Sequence, residues 1–175
     1  MSYLVNTARS GALLVAVAFF AGCATPPPPA PSRAAAPAHD MVAAIRAAGD
    51  RESSVIAVNP LGDPGVTGLQ DAARADANAG RYAEAGAKLD QALRLSPDSP
   101  ALLQDRAEIA IRLGDFSGAE KLAHRSWSLG PKLGPLCARN WQTIVELRLH
   151  ARDEAGAATA RKWLAQCHKA GVPRY

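Results

Sequence analysis

Two stretches of this chain repeat the same residue types at a constant spacing of 34 positions, and this repeat restricts the possible folds more than any other feature. The matching pairs are Gly80 with Gly114, Tyr82 with Phe116, Ala85 with Ala119, Leu95 with Leu129, and Pro97 with Pro131. A period of roughly 20–50 residues is typical of proteins that stack one small structural unit on the next. The sequence therefore predicts a stacked array.

Each repeated residue has a physical role in a pair of antiparallel helices. Gly80 and Gly114 permit the sharp turn between the two helices, because glycine adopts backbone angles that other residues avoid. Pro97 and Pro131 end the second helix of each pair, since proline lacks the backbone N–H that a helix interior needs. Aromatic residues make up only 5% of the chain and alanine is abundant, which favours closely packed helices over a β-sandwich. The predicted fold class is all-α.

These positions resemble the tetratricopeptide repeat family over about residues 66–168. The resemblance implies a short solenoid of about three helical hairpins at 67–168, with repeats at 66–99, 100–133 and 134–168. The predicted helices are 67–79, 82–95, 100–113, 116–129, 135–149 and 153–168. The third repeat is degenerate, because Leu149-His150-Ala151-Arg152 stands where a turn glycine is expected. An unrelated bundle of helical hairpins is the alternative.

The N-terminal segment has the pattern of an export signal. Arg9 precedes an apolar run at 11–21, which is too short to span a membrane and ends in small residues before Cys23. This resembles the lipobox of bacterial lipoproteins, although Phe20 stands where an aliphatic residue is usual. The resemblance implies a signal peptide at 1–22, a lipidated Cys23 and sorting to the outer membrane, since no aspartate follows the cysteine. An ordinary secretory signal or an uncleaved anchor is the alternative.

A proline- and alanine-rich stretch at 24–38 predicts an extended tether that buries little surface. A ligand for a proline-reading domain is the alternative function of this stretch. A short amphipathic helix is expected at 40–48, and 49–66 is expected to be irregular because asparagine, glycine and proline recur there. Together with Cys23, these parts form the predicted segment 23–66, and 169–175 is the predicted C-terminal tail.

Two cysteines remain once Cys23 is assigned to lipidation. Cys137 lies at the start of the fifth predicted array helix and Cys167 at the end of the sixth, and these ends are neighbours in an antiparallel hairpin. An exported chain meets an oxidising compartment, so the sequence predicts a disulfide between them. Two buried free thiols are one alternative, and a metal site that includes His150 or His168 is another.

Motifs for catalysis are missing from the sequence. It contains no glycine-rich phosphate loop, no H-E-x-x-H and no G-x-S-x-G, and none of its four histidines accompanies a nucleophile in a known local pattern. The formal charge of +4 is too small to indicate nucleic-acid binding. We expect a protein that is not an enzyme and that has no cofactor, no metal and no nucleic-acid partner.

The family resemblance implies instead a concave groove lined by the first helix of each repeat. Its expected positions are Gln70, Arg74 and Asn78 in repeat one, Gln104, Glu108 and Arg112 in repeat two, and Arg139, Gln142 and Glu146 in repeat three. These side chains are polar and mixed in charge, which suits an extended peptide. Gln70 and Arg74 do not match the carboxylate clamp of chaperone-binding members. A polar face without a ligand is the alternative.

The combined features predict a lipid-anchored protein on the periplasmic face of the outer membrane, with its array acting as a protein-interaction adaptor in cell-envelope assembly. The expected partner is a protein or an extended peptide in the periplasm. A pilus or secretion assembly lipoprotein is one alternative function, and a cell-wall regulator associated with peptidoglycan or an amidase is another. The three tryptophans are expected in the core. The sequence leaves the oligomeric state open.

Overall fold

The structure is a computed structural model that describes residues 39–52 and 63–168. Within those residues it contains seven helices and no strand: α1 (Met41–Asp50), α2 (Pro64–Asn78), α3 (Tyr82–Leu95), α4 (Pro100–Arg112), α5 (Phe116–Leu129), α6 (Pro135–His150) and α7 (Glu154–Gln166). The described residues belong to one compact unit that begins at Ala38. The predicted signal peptide, Cys23, the tether and the tail at 169–175 lie outside the described residues.

The helices after α1 form three antiparallel hairpins, α2 with α3, α4 with α5, and α6 with α7, and each hairpin packs on the next. The all-α class and the short hairpin solenoid that the sequence predicts are confirmed. Within the described residues, no helix combines the length and the apolar character that a membrane crossing requires.

The first array helix begins earlier than expected. The interpretation of 49–66 as irregular is wrong at both ends, because α1 extends to Asp50 and α2 starts at Pro64. Residues 53–62 lie outside the described residues. The Asp63 side chain accepts a hydrogen bond from Gly65 N at 2.7 Å, and proline is favoured at the first position of a helix. The same residue types that indicate a turn in the sequence therefore cap a helix here.

Three equivalent corners join the paired helices. At each corner a backbone N–H reaches back to a carbonyl five residues earlier: Arg81 to Asp76 at 2.9 Å, Asp115 to Ala110 at 2.9 Å, and Asp153 to Arg148 at 2.8 Å. The residue before each donor is left-handed, with φ of 76° at Gly80, 79° at Gly114 and 59° at Arg152. Arginine thus occupies the glycine position in the third repeat, whose first helix has 16 residues against 13 in α4.

We expect Arg152→Gly to raise the free energy of unfolding by about 0.5–1 kcal/mol, because a left-handed backbone strains a residue that has a Cβ atom. Gly114→Ala is the converse change and is expected to lower it by about 1 kcal/mol. Urea unfolding, monitored by tryptophan fluorescence, gives the free energy of unfolding of both variants. A loss of stability in Arg152→Gly would contradict the strain argument.

The core is a row of three apolar clusters in which small residues let the helices approach. Ala85, Ala119 and Ala157 follow the three corners, and each is fully buried. One cluster joins α2, α3 and α4, and another joins α4 to the last three helices. The third joins α1 to the array through Val42 and Ile45. The N-terminal helix is therefore part of the folded unit.

The three tryptophans lie together beside the last hairpin. The rings of Trp127 and Trp141 are 5.3 Å apart, and those of Trp141 and Trp163 are stacked at 5.5 Å. Trp141 is buried and Trp127 is half-buried, but Trp163 is 42% exposed, so the expectation of a core position is wrong for Trp163. Trp163 therefore stacks on a buried tryptophan while remaining partly exposed to solvent.

Cys137 at the start of α6 and Cys167 after α7 are joined by a disulfide in the structure, with their Cα atoms 5.5 Å apart. Gly134 N also donates to Cys167 O at 2.8 Å, so the segment before α6 is fixed to the end of α7. These two contacts close the open end of the third hairpin. We retain the disulfide as a prediction for the protein in solution and argue its effect below.

Candidate functional site

Helix α1 and the residues before it cover four of the expected groove positions of repeats two and three, namely Glu108, Arg112, Arg139 and Glu146. This helix packs mainly against α6 and also against α4, the first helices of those repeats. The groove positions of repeat one, Gln70, Arg74 and Asn78, lie on α2 and are outside this contact. The structure therefore divides the expected groove into a covered part and an open part.

Apolar and small residues hold α1 in place. Val42 and Ile45 are buried on one face of α1, with Ile45 fully inaccessible to solvent, and they share a cluster with Ile111 and Leu147. One turn later Gly49 lies against α6, where an added Cβ atom would come within 2.8 Å of Arg139 Cγ. Residues at this spacing share one helix face, so α1 offers the array an apolar stripe that ends in a residue without a side chain.

Charged groups of the covered part bind α1 through Glu108. This carboxylate is 1% exposed, and it accepts from Arg46 Nε of α1 and from Arg139 Nε of α6, both at 2.9 Å. Gln104 donates to Glu108 at 3.2 Å and to Thr143 Oγ1 at 2.9 Å. Glu108 thus links three helices at the centre of the covered part.

Two further groove positions, Arg112 and Glu146, bind the residues just before α1. Arg112 donates to Asp40 at 2.8 Å, and Glu146 lies 2.6 Å from His39 Nε2 and accepts from Gln142 at 2.7 Å. His39 follows the predicted tether at 24–38 directly and is the first residue of the folded unit that the structure describes. The hydrogen bond from Arg112 holds the pKa of the Asp40 carboxyl below its usual range.

Arg139 lies between the covered and open parts. Its burial opposes the charged form, but the carboxylates of Glu108 and Asp105 outweigh that effect and hold the pKa of the guanidinium above its ordinary value. The side chain reaches Asp105 at 2.7 Å. Arg139 therefore stays charged and serves as a fixed cation between the two acids.

The open part is a cleft of about 480 Å³ lined mainly by α1, α2 and α4, with Leu89 of α3 and Arg139 of α6 completing it. Its polar lining is Arg46, Asp50, Gln70, Arg74, Asn78, Asp105 and Arg139, and its apolar lining is Ala73, Ala77, Leu89, Ala101 and Ile109. Such a mixture of hydrogen-bonding groups over a small apolar floor is typical of sites that bind an extended peptide.

Polar contacts already order part of this cleft. Gln70 Nε2 donates to Asp105 at 2.7 Å, so the Asp105 carboxylate holds Gln70 as well as Arg139. Arg74 pairs with Asp71 at 3.0 Å, and both side chains are largely exposed. Arg74 is consequently the cleft cation that can exchange its present partner for a carboxylate of a ligand with little desolvation.

Nothing in the cleft lining forms a nucleophile–base pair that would begin a reaction. Among residues 39–52 and 63–168, no group of three histidine, cysteine, aspartate or glutamate side chains converges on a possible metal position. The arrangement can bind through hydrogen bonds and ion pairs.

Comparison with known proteins agrees with the helical corners. A family model described as tetratricopeptide repeat matches residues 77–132, which hold the first two corners. The globular C-terminal domain of P. aeruginosa LpoP, a solved structure, matches with 31% sequence identity and a TM-score of 0.56. That match covers 59% of this chain and 97% of the LpoP chain. The chain belongs to the tetratricopeptide repeat family. No curated protein matches it.

As a tetratricopeptide repeat protein, the chain departs from a fully open groove. The sequence indicates the polar positions of α2, α4 and α6 but gives no sign of Arg46 and Asp50, which α1 contributes to the cleft wall. The amphipathic pattern of α1 indicated a buried face, but no local signal identified the helices that cover it. Asp105 was missed as well, because it lies one position beyond the expected Gln104.

Proposed function

We infer that this protein is a non-catalytic adaptor that holds an extended segment of another protein in the cleft between α1, α2 and α4. The observation that carries this proposal is the cleft itself, since the repeat-one groove positions Gln70, Arg74 and Asn78 line it and a peptide backbone requires such hydrogen-bonding groups. Membership of the tetratricopeptide repeat family supports protein binding as the general activity.

We place this adaptor on the periplasmic side of the outer membrane. The supporting features are the resemblance of the segment before Cys23 to a lipobox and the proline-rich stretch that follows it. The likeness to a globular C-terminal domain supports an arrangement in which the folded array follows such a segment. From this placement we infer a role in cell-envelope assembly. Identification of the partner will distinguish a role in pilus assembly or secretion from one in cell-wall regulation.

The test is capture of a partner through the cleft. A photo-crosslinking amino acid placed at Gln70 in the membrane-anchored chain is expected to trap a specific protein. Arg74→Glu is expected to lower that yield at least fivefold, which corresponds to about 1 kcal/mol of lost binding free energy. The yield is read by mass spectrometry of the crosslinked band.

Arg161→Glu is the matched control, because it makes the same charge change at an exposed position on α7. We expect this variant to capture the partner as well as the unchanged chain does. Equal yields from Arg74→Glu and Arg161→Glu would reject the cleft as the binding site, and no specific crosslink at Gln70 would favour a polar face without a ligand.

A further inference from the structure

Helix α1 contacts the array as a bound ligand contacts its receptor. Its polar contacts join residues that are far apart in the chain, with separations of 62 positions for Arg46 and Glu108, 72 for Asp40 and Arg112, and 107 for His39 and Glu146. Each array residue in these pairs occupies an expected groove position. The covered part of the groove therefore recognises a helix through three polar contacts around an apolar stripe.

Helix α1 is expected to be only marginally stable when it is separated from the array. It has only 10 residues, and isolated helices of that length are marginal in water. Docking of residues 39–52 thus couples the folding of α1 to its binding, a process that favours reversible attachment. The twelve residues 51–62 connect α1 to Asp63, and such a short connection keeps the effective concentration of α1 at the groove in about the millimolar range.

We propose that the covered part of the groove is a helix-binding site, and that it exchanges its resident helix α1 for a partner helix of the same chemistry. The partner pattern follows from the contacts of α1. It has an acid before the helix for Arg112, aliphatic residues two and five positions after that acid, an arginine at the sixth for Glu108, and glycine at the ninth against Arg139.

This exchange changes the open cleft as well. Arg46 and Asp50 belong to both α1 and the cleft wall, so a ligand that contacts them in the cleft stabilises docked α1. A competing helix of the stated pattern restores an arginine at the position of Arg46 but not the Asp50 carboxylate. Binding in the cleft and binding of a partner helix therefore oppose one another. The inference goes beyond the adaptor proposal, because it concerns a second surface and a helical partner.

The first test separates α1 from its short connection. A protease site is placed within residues 53–62 of the full chain, and a labelled peptide of residues 38–53 is added before and after cleavage. We expect the cut chain to bind the peptide at least about 100-fold more tightly than the intact chain, because cleavage removes the effective concentration of the resident helix. Fluorescence polarisation measures the affinity.

Exchanging the charges of Asp40 and Arg112 distinguishes specific recognition of the peptide from nonspecific binding. A peptide with Asp40→Arg is expected to bind the cut chain at least tenfold more weakly, and to regain most of that loss in the cut Arg112→Glu chain. A peptide with Ile45→Asp is the matched control for the apolar stripe and is expected not to bind either chain. Rescue by paired charges is a result that a merely structural role of Arg112 does not give.

Two results would overturn the proposal. In the first, the cut segment stays bound for a day and the labelled peptide does not enter, which makes α1 a permanent part of the fold. In the second, the intact chain forms dimers that exchange α1 between copies, which makes a second copy the occupant. A failure here leaves the result for Arg74→Glu in the cleft unaffected, so the two proposals fail separately.

Discussion

Replacing Glu108 by alanine is expected to lower the free energy of unfolding by about 3 kcal/mol, which is among the largest effects of any single substitution in the described residues. The carboxylate is 1% exposed and binds the guanidinium groups of Arg46 and Arg139. Its removal leaves the half-buried Arg139 with Asp105 as its remaining carboxylate partner, and α1 loses the contact between Arg46 and Glu108. Urea unfolding monitored by circular dichroism gives the free energy.

The control for Glu108→Ala is Asp71→Ala, which breaks the exposed ion pair with Arg74. Exposed ion pairs contribute about 0–1 kcal/mol, so the free energy of unfolding of Asp71→Ala is expected to be close to that of the unchanged chain. A second check replaces Glu108, Arg46 and Arg139 together by methionine, and we expect it to regain much of the lost stability. A loss below about 1 kcal/mol in Glu108→Ala would show that the buried network contributes little.

Replacing Cys137 and Cys167 together by alanine is expected to lower the free energy of unfolding by about 3–4 kcal/mol, because the disulfide between them closes a loop of 30 residues in the unfolded chain. The last hairpin depends on this link more than the others do, since within the described residues α7 packs mainly against α6. Thermal unfolding, read from the fluorescence of the tryptophans beside the disulfide, measures the change.

Reducing agent provides the matched comparison for this prediction. We expect the oxidised chain to lose stability when dithiothreitol is added, and the Cys137→Ala/Cys167→Ala chain to show no response. Mass spectrometry of peptides under non-reducing conditions identifies the pairing directly. An unchanged melting temperature on reduction of a chain that carries the disulfide would reject the loop-entropy argument.

The sequence predicts the array well because the requirements of each corner are local. Gly80 and Gly114 recur at one spacing, and the structure gives both the left-handed φ that a helical corner needs. The predicted array helices begin and end within three residues of the observed ones. The third corner was harder to place exactly, because Arg152 adopts the same backbone without the glycine that marks it in the sequence.

Contacts between distant parts of the chain account for what the sequence does not reveal. The pattern around Val42 and Ile45 predicts a helix with one buried face, but that pattern is the same for any apolar surface it covers. Its placement on α4 and α6 depends on Glu108, Arg112 and Glu146, which the sequence analysis assigned to an open groove. Tertiary packing therefore decides how much of the groove is free.

The position of α1 also determines how a mechanical load enters the molecule. Tension applied through the chain ahead of His39 acts first on the pairs of His39 with Glu146 and of Asp40 with Arg112. These pairs lie at the leading end of α1, so a pull peels the helix from its start and breaks its contacts one after another. While α1 stays docked, the load passes through these pairs into α4 and α6, and it reaches α2 along the chain only after α1 has yielded.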